Sequence, residues 1–235
     1  MTEQEWLNCT DPTPMLDFLR EQAGDRKLRL FAVGCCRLIW DRLVCPASRE
    51  AVIASEAFAD GRGSDDDLTT LNHRAEGAAF GIDSKEERYR REQRGIVRGW
   101  LREEDGVEAA GVSGPSGVCV SFHEARTAAS AAEHAASSIE TFLTYTDPSI
   151  LSEQLVRCIF GNPFQPVTAD TAWLTSDVVA LAHGIYDEKG FDRMPILADA
   201  LQDAGCDNDA VLNHCRGDGP HCRGCWIVDL ILGKE

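Results

Sequence analysis

The stretch RKLRLFAVGCCRLIWDRL, residues 26–43, constrains the fold more than any other part of the chain. Read as a helix, Leu28, Phe31, Ala32, Cys35, Leu38, Ile39 and Leu43 widen its apolar stripe well beyond one face. Such a helix is stable only when other elements surround it, so it belongs in the middle of a bundle. Helical punctuation recurs along the rest of the chain, and strand alternation is nearly absent. Asp11-Pro12 and Asp147-Pro148 each place an N-cap residue before a proline at the first helical position, where its missing N–H costs nothing. Ser64 with Asp67, and Ser121 with Glu124, have the spacing of capping boxes, Asp67 being the shorter form.

These signals predict helices over 12–22, 26–43, 47–60, 65–103, 121–145, 148–160, 175–188, 193–204, 208–215 and 225–232. The 65–103 stretch is expected to break near Gly77–Gly81. The fold class is therefore all-α: a multi-helix bundle with a Gly/Pro-rich Cys/His turn near the C-terminus, packed against the 26–43 helix. DGVEAAGVSGPSGVCVS, 105–121, has four glycines, a proline and no period. It predicts a flexible loop or linker over 105–120, between an N-terminal helical part, 1–104, and a C-terminal helical part, 121–235, within one compact domain. FGNPFQPV, 160–167, is a second non-helical connection, anchored by Phe160 and Phe164.

A chain of 235 residues, 43% hydrophobic, can bury a substantial core. Its net charge of −16 disfavours a nucleic-acid partner, because phosphate binding needs a dense positive field. Residues 85–102 hold seven basic residues with Tyr89 and Trp100 between them, but the glutamates among them reduce the net charge to +4. That mixture fits a solvated, internally paired helix face. No apolar run approaches bilayer length, and MTEQEWLNCTDPTPMLDFLREQ lacks the basic and apolar regions of a secretion signal. The expectation is a cytoplasmic protein with no membrane partner, whose ten cysteines stay thiols and form no disulfide framework.

The chemistry concentrates in HCRGDGPHCRGCW, residues 214–226. Cys222 and Cys225 form a knuckle-type pair, and His214 or Cys215 lies close enough upstream to complete a tetrahedral nitrogen and sulfur set, which zinc favours. Only six residues separate Cys215 from Cys222, fewer than in the usual structural zinc module. The same residues also admit a redox reading, with Cys225 at a helix start near Arg216 and Arg223, where a thiolate is favoured. A third reading has no chemistry: a turn between two helices whose cysteines fill core gaps while His214 and His221 cap carbonyls.

Elsewhere, adjacent Cys35 and Cys36 point about 100° apart on a helix, so at most one of them can join a site. His123 and His134 share a helix face but stand about 16 Å apart along it. HEART, 123–127, lacks the second histidine of a zincin motif, and no P-loop, dinucleotide glycine pattern or nucleophile elbow is present.

RLFAVGCCRLIW, FGNPFQPV, YDEKGFDRMPILADALQDAGC and HCRGDGPHCRGCWIVDLILGKE together resemble an uncharacterised bacterial family that begins T-E-x-E-W-L and ends G-C-W-x-V-D-L-x-L-G-K. The resemblance covers both ends well and 65–145 poorly, and it implies no activity. In that family an aliphatic residue tends to stand where this chain has Cys222. This points to His214, Cys215, His221 and Cys225 as the metal-ligand set, with Cys222 and Cys36 as additional candidates. Two functions lead: a non-catalytic interaction or regulatory module with a protein partner, and a zinc-binding protein centred on 214–225. A thiol-dependent enzyme using Cys225, with His214 or His221 as base, is the third.

Overall fold

The computed structural model describes residues 1–19, 22–41, 43, 46–80 and 152–234. Among them the helices are α1 (Glu3–Asn8), α2 (Pro12–Leu19), α3 (Asp25–Leu38), α4 (Pro46–Ala59), α5 (Asp65–Phe80), α6 (Glu153–Phe160), α7 (Ser176–Glu188), α8 (Met194–Asp203), α9 (Asp209–Arg216) and α10 (Trp226–Leu232). Short 3-10 turns cover Thr171–Trp173 and Phe191–Arg193, and no strand occurs among the described residues. The all-α class is thus observed. The helices expected over 81–103 and 121–145, the 105–120 linker, the Asp147-Pro148 cap, His123 and His134 lie outside the described residues. No described helix is long and apolar enough to cross a membrane.

The chain divides into two compact units, residues 1–34 with 152–235, and residues 35–151. In the second, α4 and α5 pack through Ala51, Leu68 and Ala75, with Ala54, Phe58 and Leu71 against them. Ser64 caps α5: its hydroxyl accepts from the Asp67 N–H at 3.2 Å and donates to the Asp67 carboxylate at 2.7 Å. The short aspartate side chain thus takes the hydroxyl proton, not the backbone N–H that a capping-box glutamate reaches. α5 continues through Gly77 to Phe80. α3 stops at Leu38, short of the expected residue 43, and the chain turns, with the Leu43 N–H donating to the Ile39 and Trp40 carbonyls.

In the first unit α1 was not expected, because six residues are too few to show a period. Its signal is local: Thr2 and Glu5 form a reciprocal capping box, and Trp6 is buried beneath it. Arg157 on α6 donates to the carbonyls of Trp6 at 2.9 Å and Cys9 at 2.6 Å, so one guanidinium satisfies the frayed end of α1. α6 itself starts five residues later than expected. Ser152 is its cap, extended in backbone, with its hydroxyl accepting from the Leu155 N–H.

The expected packing of the C-terminal turn on the 26–43 helix is present along Asp25–Gly34. Gly34 lets the helices close: a Cβ there would stand 2.9 Å from Leu155 on α6. Gly224 has a φ of +93°, and a Cβ would meet Leu30 at 3.0 Å, so both backbone and space require glycine. Around these contacts lies one apolar core from α6 to α10, including Val178, Ile185, Met194, Leu197, Leu201, Val211, Ile227 and Val228.

A buried ionic cluster crosses this core. Asp229 on α10 is 1% exposed and accepts from Arg26 at 2.7 and 3.2 Å and from Lys27 at 2.5 Å. Arg26 also donates to the Tyr186 hydroxyl at 2.9 Å, and Lys27 to the carbonyls of Gly224 at 2.8 Å and Ile159 at 3.3 Å. Removing one member of such a cluster leaves the others buried without compensation. Asp229→Ala is expected to cost about 3–5 kcal/mol in urea unfolding, whereas a loss near zero would show that the cluster is dispensable.

Candidate metal centre

Four side chains from three helices and one loop converge beside this cluster. Cys158 sits in the last turn of α6, facing the core. His214 lies in the last turn of α9, a helix opened by Asn208, whose side chain accepts from the Ala210 and Val211 N–H groups. His221 follows in the Gly/Pro loop. Cys225 is the N-cap residue of α10, and its N–H donates to the Cys222 carbonyl at 3.0 Å. That bond closes a tight turn, which Gly224 permits.

The ligand atoms of Cys158, His214, His221 and Cys225 all lie within 4.8 Å of one another. His214 Nε2 is 3.3 Å from Cys225 Sγ, and His221 Nδ1 is 3.6 Å from Cys158 Sγ. The two imidazoles meet edge to face, centroids 4.9 Å apart at 80°. An ion bonded tetrahedrally to sulfur at about 2.3 Å and nitrogen at about 2.1 Å holds its donors roughly 3.4–3.8 Å apart. The His221–Cys158 contact at 3.6 Å has that separation, and the His214–Cys225 contact at 3.3 Å is slightly shorter. This Cys/His group can hold a metal ion.

Electrostatics accounts for what the group does as it stands. Burial, with the Cys158 thiol beside it, pushes Cys225 up to about 11 against the opposing hydrogen bonds of His214 and His221. Cys158 is also raised well above an ordinary thiol, first by the Cys222 thiol and then by burial, with Cys225 acting in the other direction. Burial lowers the basicity of His221, but the hydrogen bond and charge of Cys225 outweigh it, so the ring titrates above its usual value. The nucleophile expected of a thiol enzyme is therefore disfavoured: a helix start near two arginines does not make Cys225 a thiolate when the sulfur is fully buried. His221 Nε2 is buried with no well-formed hydrogen bond. That atom is not the ring nitrogen facing the Cys158 thiol, which is Nδ1 at 3.6 Å; a buried polar atom without a partner marks a ring incompletely satisfied by the chain alone.

The residues anticipated from sequence divide clearly. His214, His221 and Cys225 are brought together. Cys215 is not among the converging donors: adjacent to His214 on a helix, it turns about 100° away and packs in the apolar core, where burial raises its thiol. Cys222 stands outside the four, its thiol donating to the Arg223 carbonyl at 3.2 Å. Cys36 belongs to the other unit, where burial pushes it up to about 12. Cys158 takes the fourth place and was missed. It lies 63 residues before His221, within an amphipathic helix where a cysteine reads as packing, and no local spacing points to it.

Family models, curated proteins and solved structures were compared with the chain, and none matches. With Co²⁺ as a probe, the full chain is expected to show tetrahedral d–d bands with thiolate-to-cobalt charge transfer. The charge-transfer intensity should fall in Cys158→Ser and stay unchanged in Cys215→Ser and Cys36→Ser. An unaltered Cys158→Ser spectrum would remove that residue from the ligand set.

Proposed function

We propose that this chain is a zinc-binding protein in which Cys158, His214, His221 and Cys225 hold one structural zinc ion. The convergence of two thiols and two imidazoles within 4.8 Å supports this most directly. The donor set contains no carboxylate, and sulfur with imidazole in equal number favours zinc over the hard cations that oxygen ligands select. All four tetrahedral positions are filled by protein, and both sulfurs are buried. A catalytic zinc keeps one position open for water or substrate, whereas a closed set stabilises the fold.

The ion's work is mechanical. It ties the end of α6 to the end of α9, the following loop and the start of α10, segments that no backbone ladder connects. Deprotonation of the two cysteines on binding removes the cost of burying unsatisfied thiols, and the two thiolate charges neutralise the dication. A non-catalytic interaction or regulatory module follows from this reading. The fixed unit exposes Asp187, Asp192, Asp203, Asp207 and Asp209, and the surface they supply suits a basic protein partner.

Elemental analysis of the purified chain is expected to give one zinc per molecule, lost in Cys225→Ser. A strong chelator should lower the melting temperature of the native protein and leave that of Cys225→Ser unchanged, since binding to the folded state alone is folding free energy. Zinc-free protein that neither takes up the ion nor shifts its melting temperature on adding it would overturn the proposal.

A further inference from the structure

A third thiol stands beside the four donors and is not one of them. Cys222 is partly exposed, whereas Cys158 and Cys225 are buried. Its sulfur borders α6, since the Gly34 position has both Leu155, one turn before Cys158, and the Cys222 sulfur against it, and the thiol donates to the Arg223 carbonyl at 3.2 Å. It is confined from behind, since a Cβ at Gly34 would be 3.3 Å from its sulfur. Cys225 is engaged on the other edge of the group, against His214 at 3.3 Å. Cys158 therefore has two sulfur neighbours: Cys225, which shares its proposed ion, and Cys222, which has none. A structural role for the ion requires no thiol at position 222.

Building on the zinc reading, we propose that Cys222 is an oxidation site: hydrogen peroxide converts Cys222 and the zinc ligand Cys158 to a disulfide, and the ion leaves. The access is asymmetric, because Cys222 is the partly exposed cysteine of this group and Cys158 and Cys225 are buried. Its sulfur attacks one peroxide oxygen, breaking the O–O bond to give a sulfenic acid and one water. The Cys158 thiolate then leaves zinc and attacks the Cys222 sulfur. The S–S bond forms, the S–O bond breaks, and the departing hydroxide takes a proton from solvent to give the second water. Two sulfurs have lost two electrons and one peroxide has gained them. Zinc is left with Cys225, His214 and His221, a set one thiolate short, and it dissociates as the hydrated ion. A dithiol reductant with added zinc restores the original state by thiol–disulfide exchange.

The experiment compares the full-length wild type with Cys222→Ser and Cys222→Ala, each loaded with zinc and exposed to hydrogen peroxide. A chromogenic chelator reads released zinc, and mass spectrometry of non-reduced peptides reads the bond. Wild type is expected to release its zinc together with formation of a Cys158–Cys222 disulfide, and both variants to keep theirs over the same interval. Release from the variants at the wild-type rate would overturn the inference, as would a wild-type bond joining Cys158 to Cys225. If the wild type takes up no zinc, the zinc reading fails by itself. The peptide map of the peroxide-treated chain still decides the inference: without a Cys158–Cys222 bond it is wrong.

Discussion

The carboxylate of Asp229, buried between Arg26 and Lys27, fixes the unit that carries the candidate metal centre. Removing three charges from water is costly, and their attraction repays the cost only when further hydrogen bonds satisfy the remaining protons. Lys27 meets this condition in a way that bears on the site. Its ammonium donates to the carbonyls of Ile159 and Gly224. Ile159 follows Cys158 and Gly224 precedes Cys225, so one side chain anchors the backbone next to both sulfur donors. Asp229, one turn into α10, holds that ammonium in place. The thiols are thus positioned by an ionic cluster that is not itself part of the four-donor group.

Two kinds of constraint meet here. The apolar core from α6 to α10 determines which helices are neighbours, and it is non-directional. The ionic cluster and the Gly224 turn are directional, and they set where Cys158 and Cys225 point. Neighbouring thiols and burial then explain why the two sulfur donors are quiet as thiols. Raised thiols are poorly served by the apolar interior, and the proposed dication would answer this chemically by taking both protons' places.

The helical class was legible because caps and apolar stripes act locally: the Asp11-Pro12 start, the Ser64 cap and the wide stripe of 26–43 each correspond to structure that is present. Boundaries were less legible. Ser152 opens α6, its hydroxyl accepting from the Leu155 N–H, a local bond that no period in the sequence announces. In the candidate centre, His214, His221 and Cys225 could be read from one short loop. Cys158 could not, because tertiary packing brings it there across more than fifty residues of intervening chain. Cys215 misled for the complementary reason: closeness in sequence to His214 puts it on a different helix face.

Zinc K-edge X-ray absorption on the purified full-length chain tests the central claim most directly. The account predicts two sulfur neighbours at about 2.3 Å and two nitrogen neighbours at about 2.0–2.1 Å, with one sulfur lost in Cys158→Ser. A shell of oxygen and nitrogen alone, or a two-sulfur shell that survives Cys158→Ser unchanged, would contradict it.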